Sequence, residues 1–122
     1  MPNIKSSKAK GRRLQNYVRD KLRDVFIKQW SLFPKLENDD IKSQTMGMTG
    51  EDIVLSPAAK KLIPFSFECK NQERLNIWKS LEQAKENAED RTPIVVFKRN
   101  GSRTYAIIEF KSLLKLLRRV YE

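Results

Sequence analysis
The chain is predicted to be α/β, because stretches with helical periodicity alternate with short strand-like runs along its length. Apolar residues recur at three- and four-residue steps in three separate stretches, and between these stand four short apolar or alternating runs, two of them flanking an Asn-Gly pair. In the first stretch Leu14, Val18, Leu22, Val25 and Phe26 predict an amphipathic helix over 12 to about 29, with Arg12, Arg13, Arg19 and Arg23 on its other face. Ahead of it, Lys5, Lys8 and Lys10 stand among small polar residues, so residues 1–10 are expected to form a flexible basic arm and 11–122 a single domain. Residues 30–49 carry Pro34, Gly47 and the run Glu37-Asn38-Asp39-Asp40, which reads mainly as loop with room for one short extended piece.

Residues 52–56 are a short apolar strand, 56–61 a turn, and 62–70 the returning strand of a hairpin, its start made irregular by Pro64. Leu75, Trp78, Leu81, Ala84 and Ala88 then outline a helix that should end before Pro93. Ile94-Val95-Val96-Phe97 is apolar throughout and reads as a central strand, Arg99-Asn100-Gly101-Ser102 as a hairpin turn, and 104–109 as the strand that returns. Leu113, Leu114, Leu116, Leu117, Val120 and Tyr121 close the domain with a helix whose Lys111, Lys115, Arg118 and Arg119 stay wet. The order is α-β-β-α-β-β-α, or α-β-β-β-α-β-β-α if the loop hides a strand.

With 122 residues the chain suits one domain, which buries roughly two-thirds of its unfolded surface. The single cysteine, Cys69, cannot form an internal disulfide and alternates with phenylalanines, as a small buried hydrophobe in a reducing compartment would. No apolar run is long enough to span a membrane, so a soluble, cytoplasmic protein is expected. Lys and Arg number 25 against 15 Asp and Glu, a net charge of +10 that favours a polyanionic partner, nucleic acid first. There is no histidine, which excludes hydrolysis based on a histidine base, a histidine-ligated zinc or a Ser/His/Asp triad.

Hydrolysis would then rest on carboxylates, lysine and metal, and the sequence offers those together. In Phe65-Ser66-Phe67-Glu68-Cys69-Lys70 a strand puts Ser66, Glu68 and Lys70 on one face and Phe65, Phe67 and Cys69 on the other. A neighbouring strand that starts at Asp52 can bring a second carboxylate alongside. Magnesium prefers oxygen ligands and keeps several waters, so Asp52 and Glu68 with a substrate phosphate are sufficient to hold it. Lys70 beside them can orient or deprotonate a water, or stabilise the charge gained by an attacked phosphate.

The spacing Asp-x15-Glu-x-Lys resembles the PD-(D/E)XK nuclease superfamily, most closely the small archaeal and phage Holliday-junction resolvases. The resemblance implies a restriction-endonuclease-like core, a central mixed β-sheet flanked by helices. It also implies Mg2+, replaceable by Mn2+, held by Asp52, Glu68 and the backbone carbonyl of Cys69, with Lys70 as the catalytic lysine. Glu51 stands where the family often has proline, as an outer ligand or a solvated charge at the mouth of the site. Gln15 occupies the place of a first-helix glutamate, and Gln83 that of a polar residue facing the site. The partner implied is DNA, branched or nicked, bound by a homodimer that meets through residues 94–97 or the last helix. A phage-encoded protein acting inside its host cell fits this.

Lys5, Lys8, Lys10, Arg12 and Arg13 can neutralise phosphates, and Thr49, in the loop with Thr45, Met46, Met48 and Gly50, can approach the nucleic-acid strand. Glu73 reads as a surface or helix-start residue, and Trp30 and Trp78 as core or dimer contacts. Two other readings stand beside the resolvase: a nicking or flap-processing nuclease with the same site, and a basic nucleic-acid-binding module whose acidic pair is incidental.

Overall fold
In the computed structural model, which describes residues 4–29, 35–45 and 47–121, helices and strands alternate from the first residues onward. Helix α1 spans Ile4–Arg23 and runs on into a wider π-type turn at Asp24–Gln29. The segment expected as a flexible arm is therefore its first turns. Ala9, Lys8 and Lys10 are good helix formers, and no proline or β-branched run interrupts them. A single 3-10 turn, Asn38–Asp40, leads into β1 at Ile41–Ser43, the short extended piece within the loop, and β2 follows at Ile53–Leu55. These two form an antiparallel ribbon with Ile41 opposite Leu55.

After β2 comes a six-residue helix, α2 at Pro57–Leu62, where a turn was expected. Ser56 explains it: its hydroxyl accepts from the Ala59 N–H at 3.1 Å and donates to Asp40 Oδ1 at 2.6 Å, and Pro57 suits the first helical position. Asp40 is held below the usual carboxylate range, first by this bond. Strand β3, Phe65–Asn71, is thus no hairpin partner of β2. It joins a second sheet of order β3-β4-β5, parallel to β4 at Thr92–Lys98, which is antiparallel to β5 at Tyr105–Ile108. Helix α3, Ile77–Ala88, makes the crossover, capped by Asn76, and α4 spans Phe110–Val120. The mixed sheet flanked by helices is compatible with the restriction-endonuclease-like fold.

The sheet has two differently covered faces. Phe67 and Cys69 of β3, with Val96 beside Cys69, pack with Leu14 and Val18 of α1 and with Ile41, Ile53 and Leu55 of the ribbon. Ser66, Glu68 and Val95 lie on the other face and are also buried, under α3, whose inward residues are the small Ser80, Ala84 and Ala88. The hairpin turn is as read: Ser102 N–H bonds the Arg99 carbonyl at 3.1 Å, and Gly101 takes φ of 73°. Trp78 is 79% exposed, so it is no core residue, and Trp30 lies outside the described residues. Residues 94–97 are inside the sheet, between β3 and β5, which removes them as a dimer surface. Helix α4 buries no residue, and Phe110, Leu113, Leu117 and Val120 of its apolar row are exposed.

Ribbon and sheet are joined by side chains. Asp52 Oδ2 accepts from the Cys69 N–H at 2.7 Å. Glu51 accepts from Ser66 Oγ at 2.7 Å and pairs with Arg91 at 2.6 Å, and Arg91 also donates to the Phe65 carbonyl at 3.1 Å. Both charged side chains are nearly sealed from solvent, with 6% and 12% exposed. Leaving one of them unpaired should cost about 3–5 kcal/mol, while replacing both costs much less. Arg91→Met should therefore unfold at markedly lower urea than wild type, with Glu51→Gln/Arg91→Met recovering part of the loss.

Candidate active site
The alternation of β3 that buries Phe67 and Cys69 in the core turns Glu68 and Lys70 toward α3. Glu68 is 1% exposed, and its Oε1 accepts from Asn87 Nδ2 at 2.7 Å. The same amide nitrogen reaches the Gly50 carbonyl at 3.3 Å, so Asn87 ties helix, strand and the loop entering β2 together. Gly50 has φ of 103°, a conformation any side chain would strain. One turn of α3 earlier, Gln83 Oε1 accepts from Lys70 Nζ at 2.8 Å. Gln83 and Asn87 are four residues apart and so share the helix face that looks onto the strand. Lys70 makes no ion pair within 4.0 Å with either carboxylate.

Asp52, held by the Cys69 amide, faces Glu68. Burial is the main cause that raises the Glu68 carboxyl to about 7. The Asn87 hydrogen bond opposes the rise, the charge and hydrogen bond of Asp52 add to it, and Lys70 opposes it more weakly. Burial also pushes the Cys69 thiol up, helped by the charges of Asp52 and Glu68, so the thiol stays protonated and the residue's only free donor to a cation is its carbonyl.

These residues line one cleft of about 820 Å3, in which Asp52, Glu68, Cys69 and Lys70 meet Gln15 and Gln83. Lys10 and Thr49 also stand in its wall, with Thr45, Met48 and Gly50 of the loop. Arg13 lines a neighbouring cleft, Lys8 and Arg12 line neither, and the side chain of Lys5 and all of Met46 lie outside the described residues. Glu51 is not at the mouth of the site as expected: its carboxylate is spent on Arg91 and Ser66. Glu73, at the rim, accepts from the Asn100 N–H at 2.9 Å. Asn87 and Arg91 had no part in the sequence reading. The Gln83-Asn87 spacing was a usable signal for the first; Arg91 had none.

Among the described residues no group of three or more His, Cys, Asp or Glu is arranged to hold a metal ion. The donors present are two facing carboxylates and a backbone carbonyl, a set that suits a hard cation which keeps waters, not a closed zinc site. Gln15 supports the fit: in the wall of the cleft and 8% exposed, it has a buried Oε1 with no hydrogen-bond partner, an unsatisfied acceptor beside the two carboxylates.

Two carboxylates and a lysine thus line one cleft of an α/β fold. Over residues 6–121 the chain matches the model of a family described as "Phage putative PDDEXK endonuclease", and it belongs to that family, within the PD-(D/E)XK nucleases. No curated protein and no solved structure matches it. No helix among the described residues is long and apolar enough to cross a membrane.

A raised Glu68 makes the metal-free protein sensitive to pH. Between about 4.5 and about 7 the folded chain keeps a proton that the unfolded chain has released, so stability declines as pH rises through this window. Urea denaturation in chelator should show wild type losing stability from about pH 4.5 to about pH 7, with the loss largely absent in Glu68→Gln; an unchanged pH profile in that variant would place the titrating group elsewhere.

Proposed function
We propose that the chain is a metal-dependent DNA endonuclease that hydrolyses a phosphodiester by water attack in line with the leaving oxygen. The observation that carries this is the convergence of Asp52, Glu68 and Lys70 on one cleft, at the spacing of the motif after which its family is called. Asp52, Glu68 and the Cys69 carbonyl would hold Mg2+, with Mn2+ able to replace it. When bound, the ion withdraws charge from the scissile phosphate and lowers the pKa of water.

The remaining work falls to side chains. Gln83 accepts one hydrogen of the Lys70 ammonium, leaving two N–H groups for the attacked phosphate and the incoming water, where Lys70 orients the nucleophile and stabilises the developing charge. Asn87 keeps the Glu68 carboxylate in one orientation. Gln15 accepts from a water without adding charge, which suits a single-ion site.

Residues 6–121 act as one nuclease domain in this reading, which the family match across them supports. The substrate is DNA that is branched or nicked, recognised by shape, inside the cytoplasm of a phage's host. The charge of +10 supports sequence-independent contact with phosphates, and the resemblance to junction resolvases supports the branched form. Symmetric junctions need two cuts, hence a two-fold dimer; the exposed Leu113, Leu117 and Val120 of α4 support a second copy there.

The test incubates the protein with supercoiled plasmid, four-way junctions, nicked duplex and single strands, with Mg2+, Mn2+ or chelator. Cleavage should need the metal and fall by about 10²–10⁴-fold in Lys70→Ala, and at least as far in Glu68→Gln. Binding of DNA without metal-dependent cleavage of any substrate would overturn the enzyme and leave a non-catalytic binding module.

A further inference from the structure
Beside the acidic cleft lies a second one of about 700 Å3, walled by α1 on one side and the β4–β5 turn on the other. Helix α1 contributes Lys10, Arg13 and Tyr17, spaced by three and four residues on one face; the hairpin contributes Lys98 and Arg103. No carboxylate lines it, whereas the neighbouring cleft has Asp52, Glu68, Glu73 and Glu86. The four cations make no ion pair and no side-chain hydrogen bond with the described residues. Cations that converge with no counter-charge are repelled by one another unless an anion enters between them.

The shape and the remaining chemistry narrow the anion. Tyr17 is 48% exposed, and Lys21 Nζ lies 5.6 Å from its ring centroid, which braces the ring while leaving area open to the cleft. Asn71, Asn100 and Thr104 add polar side chains to the lining. A basic groove beside an aromatic ring and polar side chains suits unpaired nucleotides, whose bases can stack and show their edges; a duplex hides both. Lys10, Asn71 and Asn100 line both clefts, so the two adjoin.

We infer that the second cleft binds a single strand of DNA that continues from the scissile phosphate, with Arg13, Lys98 and Arg103 on its phosphates and Tyr17 stacked on a base. This rests on the nuclease reading and adds a substrate class to it: DNA with an unpaired segment next to the cut. The strand crosses from the acidic cleft over Lys10 and between the two asparagines.

The test measures binding of a short oligothymidylate, and of a blunt duplex of the same length, to the whole chain in chelator across a salt series. Arg13→Ala/Arg103→Ala should lower the slope of log Kd against log salt by about 1.4, at about 0.7 per lost phosphate contact on a single strand. Tyr17→Ala should weaken single-strand binding by about tenfold and duplex binding far less. Lys115→Ala, on α4 and away from both clefts, should change neither. These side chains are exposed, so thermal unfolding should remain near wild type in all the variants. Undiminished oligothymidylate binding in the cleft variants would overturn the inference, as would an equal loss on the duplex, which would assign the cleft to paired DNA. The assay needs no cleavage: metal-dependent cutting with undiminished strand binding defeats the inference alone, and strand binding through this cleft without any cutting defeats the nuclease reading alone.

Discussion
The two edges of β3 are closed in different ways, and the site depends on that difference. One edge carries a regular parallel ladder to β4. At the other, the Cys69 N–H is met by the carboxylate of Asp52, and Ser66 by that of Glu51. A backbone ladder there would have satisfied the amide but left Asp52 free to turn into solvent. With the side chain as acceptor, the bond that attaches the β1–β2 ribbon also fixes a carboxylate beside Glu68. Arg91 makes the arrangement affordable, since it compensates the second buried acid at 2.6 Å and anchors to the Phe65 carbonyl. Neighbouring acids, Glu51 and Asp52, thereby both hold the ribbon to the sheet, and only Asp52 also lines the cleft.

The helix over β3 completes the division of labour. Ser80, Ala84 and Ala88 are small enough to bring α3 close to the strand, and closeness is what lets Gln83 and Asn87 reach Lys70 and Glu68 with single hydrogen bonds. Burial under this helix raises the Glu68 carboxyl, a strain in the metal-free protein that a bound cation would relieve. On the other side of the sheet α1 supplies Gln15 to the acidic cleft and Arg13 and Tyr17 to the basic one. Acid and cation are sorted into adjoining spaces by one helix and one hairpin.

Much of this was legible in the sequence. The two-residue period of β3 gives the faces of Glu68 and Lys70, and the Asn-Gly pair gives the β4–β5 hairpin, because both signals are local. What failed was non-local. Ser56-Pro57 reads equally as a turn or as the start of a helix, since the same residues initiate both, and only the packing of Ala59 decides. Period two says which face Ser66 and Glu68 occupy, not that α3 covers it. The apolar row of α4 and Trp78 were equally visible, yet periodicity does not supply a partner: Leu113, Leu117, Val120 and Trp78 remain exposed, while Ala84 and Ala88 of the Trp78 row are buried. Lysines and serines at 5–10 suggested an arm by composition, though each is compatible with the helix that forms.

The central claim is that Asp52 and Glu68, brought together across the edge of β3, form one cation site with Lys70 at its side. It is tested most directly by titrating Mn2+ into isotopically labelled protein and following paramagnetic broadening of the backbone amides. Signals of residues 52 and 68–70 should broaden first at low Mn2+, and Glu68→Gln should abolish the effect. Broadening that begins elsewhere, or that persists undiminished in the variant, would contradict the account.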